Sequence, residues 1–410
     1  MAGQPDVSIV MPCLNEAASL EHCITRARFA LDVMRRDQGL TGEIVIADNG
    51  STDGSVELAR KLGARLVAVE RRGYGAALQA GFHAARGRFL VMGDADGSYD
   101  FVEAAPMVAA LAGGADICVG SRFRGGIAPG AMPWKNRYIG NPVLTGVLNL
   151  FFGAGVGDAH CGLRALTRES FIRLQLTGDG MEFASEMLVK AALLKMRIAE
   201  APATLSPDLR GRPPHLRPWR DGWRHLRFLM MLSPGWLFVL PGVLSGLGGL
   251  AILLAAAAFQ LSGHGDVSPL GDYWTILAGS MVSVSHMALL LGLAAQFFGL
   301  GEGYRVAGPR SRFLLAQLNV ERMLVSGGLL VLTGLAILVT IVAYWTTMHF
   351  RPIGSALPAV FGVTLIAVGV QNAMGGFLLA LLSEKAGLRM RMLAPAPTPA
   401  KEPPKELSRM

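Results

Sequence analysis

Over roughly the first 230 residues, short apolar runs alternate with longer stretches whose apolar residues recur three or four apart. The runs "SIVMP", "EIVIAD", "ARLVAV", "RFLVMGD" and "ADICVGS" read as strands. Helical spacing begins near Ala17, resumes after "NGSTDG" as far as Leu62, and covers "GYGAALQAGFHAARG". Alternation of this kind predicts βαβ units and a mostly parallel sheet, hence an α/β domain. From Trp236 the pattern changes. Four apolar runs, near 236–260, 275–300, 324–347 and 356–383, are each long enough to cross a hydrocarbon core of about 30 Å. Just before them, Trp219, Trp223, Leu226 and Met230 share one helical face and Arg217, Arg220, Arg224 and Arg227 another. That is the pattern of a helix lying in a membrane interface, although an amphipathic helix packed on the soluble domain has the same periodicity. The expected organisation is a soluble domain over 1–208, an amphipathic segment over 209–234, four transmembrane helices over 235–384, and a basic, proline-rich tail over 385–410 without fixed structure.

Composition agrees with a membrane protein. The 410 residues are only 17% charged and their mean hydropathy is +0.41, too apolar for a purely soluble chain. The net charge of +8 gathers in "LRGRPPHLRPWRDGWRHLRFLMMLSP" and in later loops. Because this basic stripe abuts a span, anionic lipid headgroups rather than nucleic acid are its expected partner. The loop 261–274 has two aspartates and no Lys or Arg, whereas 301–323 holds Arg305, Arg310, Arg312 and Arg322. The link 348–355 has only Arg351, and the tail is basic. This alternation predicts an integral protein of a bacterial plasma membrane with both termini and the soluble domain in the cytoplasm. The chain enters a strand within a few residues, leaving no room for a signal peptide. Cys13, Cys23, Cys118 and Cys161 show no CxxC spacing and read as reduced thiols. Within the spans, Gly242/Gly246 and Gly375/Gly376 read as close helix contacts. His286 reads as a neutral, hydrogen-bonded histidine. No span carries the charged relay expected of a pump.

The chemistry should gather where the strands end, because open α/β folds bind ligands at the carboxyl edge of the sheet. Asn15/Glu16, Asp48, Asp94/Asp96 and Ser121/Arg122 all fall there. In "FLVMGDADGSYDF" an apolar strand runs straight into three aspartates. Two readings compete: a solvated turn, or a site for a hard divalent cation with glycines 93 and 97 letting the backbone come close.

Taken in order, "VSIVMPCLNE", "IVIADNGSTDGS", "DADGSYD", "VGSRF" and "DAHCGLRAL" resemble family 2 glycosyltransferases of the GT-A fold. They are most similar to the branch that makes polyprenyl-phosphate sugars, such as the dolichyl-phosphate glucose and mannose synthases. The resemblance covers residues 7 to about 232 and the arrangement of interfacial helix followed by spans. It implies a Rossmann-like sheet and inverting transfer of a hexose from a nucleotide sugar to a polyprenyl phosphate. It also implies Mg²⁺ or Mn²⁺ held by Asp96 and Asp94, with Asp94 nearer the ribose or the metal. Such a cation stabilises the charge building up on a diphosphate leaving group. By the same resemblance Pro12, Asn15 and Glu16 border the base and ribose, Asp48 takes a base N–H, and Ser51 and Asp53 shape that loop. Capping of the next helix by Ser51 or Asp53 explains part of "DNGSTDGS" equally well.

The acceptor phosphate is already mostly dianionic near neutral pH, so it needs cations to position it more than a strong base. Arg122 and Arg137, with Lys135 nearby, resemble the family's phosphate-binding residues, and Arg164 joins them. Asp158 is placed as an orienting or weakly basic group, Glu182 beside the donor sugar, and Glu186 on the same helix. His160 is assigned no role. Gly73 and Gly75 read as the start of a helix near the donor, with Arg71 or Arg72 at the diphosphate. The family's Ser-Lys-containing stretch is replaced by "PDLRGRPPHLRPW", which passes that role to Arg210, Arg212 or Arg217. The QxxRW motif of processive synthases is missing, which argues against a polymerising enzyme. "DADG" and the Cys-Gly of "DAHCG" look more like the glucose branch, favouring UDP-glucose over GDP-mannose. Two other readings remain: a family 2 enzyme acting on a lipid without a phosphate, and a transporter or flippase with a cytosolic regulatory domain. A homo-oligomer is compatible with any of them.

Overall fold

The computed structural model describes residues 4–210, 218–262, 271–302, 305, 308, 313 and 317–393, with side chains as far as 384 except for 218–221. Arg212, Arg217, Arg310, Arg312, the side chains of Trp219 and Arg220, and the tail beyond 393 lie outside the described residues. The chain divides into two compact units, Met1–Leu240 with Tyr304–Val306, and Pro241–Gly303 with Ala307–Met410.

The first unit is built on seven strands: β1 (Val7–Cys13), β2 (Gly42–Asp48), β3 (Arg65–Ala68), β4 (Phe89–Met92), β5 (Ile117–Ser121), β6 (Arg164–Thr167) and β7 (Ile198–Pro202). Their order is β3-β2-β1-β4-β6-β5-β7. All pairs are parallel except those of β6, which runs antiparallel to both β4 and β5. The helices are α1 (Ala17–Gln38), α2 (Ser55–Lys61), α3 (Tyr74–Ala84), α4 (Ala104–Ala112), the single turn α5 (Arg122–Gly125), α6 (Asn141–Phe152), α7 (Arg168–Leu174), α8 (Phe183–Leu193) and α9 (Pro218–Met231). The expected mostly parallel α/β architecture is present. β6 and β7 were not foreseen: β6 starts within "DAHCGLRAL", and the β7 sequence "IAEAP" carries a glutamate in place of a continuous apolar run.

The apolar runs of β1, β2, β4 and β5 are buried on both faces, as a sheet covered by helices on both sides requires. The chain passes from β1 to β2 on one side and to β4 on the other, so strand order reverses between β1 and β4. Such a reversal opens a crevice at the carboxyl edge. Register widens it: β4 pairs β1 only from Val7↔Phe89 to Val10↔Met92, while β1 continues beside β2 to Cys13↔Asp48. Pro12, which has no N–H to donate, sits in that overhang. α9 buries His225 and Leu229 and leaves Trp223 exposed, so this helix both packs on the domain and keeps an aromatic outward.

The second unit contains α10 (Leu240–Leu261), α11 (Gly271–Glu302), α12 (Val320–Thr347) and α13 (Leu357–Leu393). Among the described residues four helices are long and apolar enough to cross a membrane: Gly235–Leu261, Gly271–Glu302, Val320–Thr347 and Leu357–Glu384. Gly242 and Gly246 meet Ala288 and Ser285 of α11, and Gly375 and Gly376 meet Leu290 and Met323, as close-contact glycines should. His286 Nδ1 lies 3.1 Å from Gln371 Oε1, and Gln371 Nε2 donates to Ser283 Oγ at 3.2 Å. The histidine is thus a hydrogen-bonded link between α11 and α13. A further close crossing joins α12 and α13. On α12, Gly327 and Gly334 lie seven apart and face Gly369 and Gly362 of α13; a Cβ on Gly327 or Gly369 would lie 2.6 Å from the other's carbonyl oxygen. Gly369→Val is expected to cost about 1–3 kcal/mol by forcing the backbones apart. A lowered thermal midpoint in detergent checks this, with Gly328→Val, whose Cβ meets nothing, as the tolerant control.

Candidate active site

Three loops converge at the carboxyl edge around the β1/β4 crevice. The first follows β1. Asn15 adopts a left-handed conformation (φ 58°), which asparagine tolerates better than most residues. Its N–H donates to Ser51 Oγ at 2.8 Å and its Oδ1 accepts the Thr52 N–H at 2.7 Å. The second follows β2, where Asp48 accepts the N–H groups of Gly50 and Ser51. Asp53 accepts from Ser55 and from the Ala17 N–H. "DNGSTDGS" therefore works first as a turn that ties β2 to α1, with both Asp48 oxygens accepting N–H groups of that turn. Asn49, not picked out from sequence, anchors the next loop by donating to Val69 O and Arg71 O and accepting the Gly73 N–H.

The third loop carries the aspartates after β4. Asp94 Oδ1 accepts the Tyr74 hydroxyl at 3.0 Å. Asp96 Oδ1 accepts the N–H and hydroxyl of Ser98 at 2.9 and 2.6 Å, and its Oδ2 pairs with Arg210. Asp100 leaves the cluster: it caps Val102 and pairs with Arg26. Gly93 owes its identity to packing, since a Cβ there would strike the Phe101 ring at 2.6 Å. Burial, reinforced by Asp96, pushes the Asp94 carboxyl up to about 6, with the Tyr74 hydroxyl and Arg210 pulling the other way. An ionised Asp94 thus sits where more positive charge would be welcome. Among the described residues no three His, Cys, Asp or Glu side chains form a ready-made metal cage. Mg²⁺ or Mn²⁺ held by one or two carboxylates, with phosphate and water completing the shell, needs none. The residues present fit such a cation.

The DAHCG loop closes over this turn. The Gly162 N–H donates to Tyr99 Oη at 3.0 Å, and a Cβ on Gly162 would lie 2.6 Å from Asp94 Oδ2. Asp158 is fully buried and holds Arg122 bidentately, Nε–Oδ2 2.6 Å and Nη2–Oδ1 2.7 Å. Burial would raise the Asp158 carboxyl, but the bonds and charge of Arg122 hold it below the usual carboxylate range, which makes it a poor base. Glu200 supports the loop by accepting the Gly157 and Asp158 N–H groups.

Arg164 does not do what was expected of it. It is 0% exposed, and its guanidinium donates to the carbonyls of Cys161, Ala184 and Ala159 at 2.9, 2.5 and 2.8 Å. It stitches the DAHCG loop to α8 and presents nothing to an acceptor phosphate. Arg137 sits on the turn before α6 with its guanidinium over the Tyr138 ring, 5.5 Å from the centroid; no described ion pair ties it to the crevice. Around it Trp134, Tyr138, Ile139, Val143 and Leu150 are exposed, an apolar and basic face that sequence reading passed over. Glu182 accepts the Gly180 N–H at 3.0 Å. Glu186 and Lys190 form a buried pair that holds residues 175–178, and Arg71 pairs with Asp179 at 2.5 Å. All four all brace the 175–182 loop against α3, whose Tyr74 reaches Asp94.

His160 sits at the same junction. Both its ring nitrogens are buried without a hydrogen-bond partner, and its ring meets that of His225, which lies 2.8 Å from Ser185 Oγ. Burial first, then the nearby His225, pushes His160 down to about 3. The unfolded chain takes up that proton near pH 6.5, so stability is lost as pH falls below about 6.5, by about 2 kcal/mol at pH 5. His160→Leu is expected to flatten this acid limb. Thermal midpoints at pH 7.5 and 5.0 check it; parallel loss in variant and parent would remove the effect from His160.

The family model for glycosyl transferase family 2 matches residues 8–175, and that for the family 2 C-terminal transmembrane region matches 293–383. The low-salt glycan biosynthesis hexosyltransferase Agl6 of Haloferax volcanii is 35% identical over 382 residues, 93% of this chain and 90% of that one. The dolichyl-phosphate hexose transferase of the same organism is 30% identical over 197 residues, 48% of this chain and 81% of that one. Among solved structures, glucosyl-3-phosphoglycerate synthase of Mycobacterium tuberculosis aligns with a TM-score of 0.41 at 22% identity, covering 55% of this chain and 78% of that one, too distant to bear on the site. The chain belongs to glycosyltransferase family 2. It is a glycosyltransferase and an integral membrane protein.

Proposed function

We propose that this enzyme transfers a hexose, glucose from UDP-glucose, to the phosphate of a polyprenyl phosphate at the cytoplasmic membrane face. The observation that carries the reading is the joining of the Asp94/Asp96 turn, the Arg122–Asp158 pair and Arg210 in one crevice. A relative named for dolichyl-phosphate hexose transfer supports it. So does the apolar and basic face around Arg137, whose composition suits a membrane interface. The arginines within 301–323 support the cytoplasmic assignment.

In this reading Pro12, Asn15, Glu16, Asp48 and Ser51 border the nucleotide, and Glu182 borders the sugar. Asp94 and Asp96 would hold the cation, which when bound would supply Lewis-acid stabilisation of the diphosphate leaving group. Arg122 offers its charge to the acceptor phosphate, and Asp158 fixes the planar fork in place. The acceptor oxygen forms a bond to the anomeric carbon as the bond to the diphosphate breaks, and a single displacement inverts the configuration. An acceptor already deprotonated needs no base, which accords with an Asp158 held ionised.

A second reading has its own observation. With Arg122 committed to Asp158 and Arg164 enclosed, fewer cations face an acceptor phosphate than expected, which favours a lipid acceptor without one. The test is nucleotide release by detergent-purified protein with Mn²⁺ or Mg²⁺ and a panel of UDP- and GDP-sugars, with undecaprenyl phosphate, diacylglycerol or no lipid. Release that needs the lipid phosphate supports the first reading and names the donor; a GDP-mannose requirement corrects the sugar alone. Release with the neutral lipid overturns the acceptor assignment.

A further inference from the structure

The segment ending at Arg210 lies directly on the aspartate turn. The Leu209 N–H donates to Asp96 O at 2.8 Å and the Ser206 N–H to Ser98 O at 2.9 Å. Leu209 covers Gly97, where an added Cβ would meet it at 2.7 Å. This backbone pairing delivers the Arg210 guanidinium between Glu16, after β1, and Asp96, after β4. Nη2 pairs with Asp96 Oδ2, and Nε lies 3.3 Å from Glu16 Oε2. The second contact is electrostatic only: Nε is buried and has no aligned hydrogen-bond acceptor.

Of the two Asp96 oxygens, Oδ1 is already taken by the N–H and hydroxyl of Ser98. Oδ2 is therefore the oxygen through which Asp96 would bind a cation, and it is the one Arg210 holds. A guanidinium and a divalent ion at the same oxygen would repel each other at close range in a poorly screened crevice. The misaligned Nε makes the seat imperfect, since a buried donor left unpaired is costly. We propose that Arg210 is an internal counter-cation that occupies the divalent cation's place on Asp96, and that cation binding expels its guanidinium and loosens the segment 206–210. The proposal rests on the reading of Asp96 as a cation ligand. It makes Arg210 a competitor for the site before donor binds, and the charge it releases becomes free to meet an incoming phosphate.

The experiment measures Mn²⁺ binding to the full-length, detergent-solubilised protein without nucleotide, by the electron paramagnetic resonance signal of free Mn²⁺. Arg210→Gln is expected to bind Mn²⁺ about tenfold or more tightly than the parent. Equal or weaker binding overturns the proposal. Should Arg210→Gln fail to fold, amide exchange in the unaltered protein decides: the Leu209 N–H is expected to exchange faster when Mn²⁺ is added, and unchanged or slower exchange overturns the proposal. Asp96→Ala separates the two levels. If it binds Mn²⁺ as the parent does, the cation site itself is misplaced; if it loses binding while Arg210→Gln matches the parent, only the competitor role fails.

Discussion

Asp96→Asn is expected to lower hexose transfer on the order of 10²–10³-fold with little change in fold. The asparagine is isosteric, and its remaining carbonyl oxygen can still accept from the Ser98 N–H and hydroxyl that hold Asp96 Oδ1. What disappears is the negative charge at Oδ2, the atom facing Arg210. Loss of that charge weakens cation binding next to the leaving group, so the defect should appear chiefly in turnover at saturating donor. Chelation of the divalent ion by EDTA should reproduce it in the parent. Nucleotide release measured across a Mn²⁺ titration, with the thermal midpoint as a folding control, reads both. A variant that keeps more than about a tenth of parental turnover would show that Asp96 contributes less than a metal ligand should.

The second large effect is on stability. Asp158→Ala is expected to cost about 3–5 kcal/mol, because it leaves the Arg122 guanidinium buried with its bidentate partner gone. It also removes the acceptor for the Arg122 and His160 N–H groups. The double variant Arg122→Met with Asp158→Leu should recover much of that loss, since replacing both members of a buried pair with apolar side chains is often near neutral. It should not recover transfer. Unfolding in detergent, paired with the release assay, distinguishes a pair kept for stability from one kept for chemistry. The contribution has a defined pH window: Asp158 titrates below its ordinary value, so the stabilisation is present above about pH 4 and lost as the carboxyl is protonated below it.

The pattern of apolar runs was enough to reveal the strands β1 to β5, the helices α1 to α3 and the four apolar helices of the second unit, because each is a local periodicity. The ordered motifs identified the family for the same reason: each is a short stretch whose residues act together at a strand end. Sequence also located the carboxylates of the crevice, since the end of a parallel strand is a place and not a contact. Partnership was invisible to it. Arg164 and Arg122 look alike in the chain, yet one is enclosed by three carbonyls and the other is gripped by a carboxylate. Arg210 and Asp96 are 114 residues apart in the chain and meet only because Leu209 pairs with the aspartate turn. The heptad-spaced glycines of α12 and α13 likewise gain meaning only where the two backbones cross. A side chain's charge is written in the sequence. Whether that charge faces a ligand or is already neutralised depends on which distant residue the fold brings within a few ångströms, and burial then magnifies that choice by weakening the competition from water.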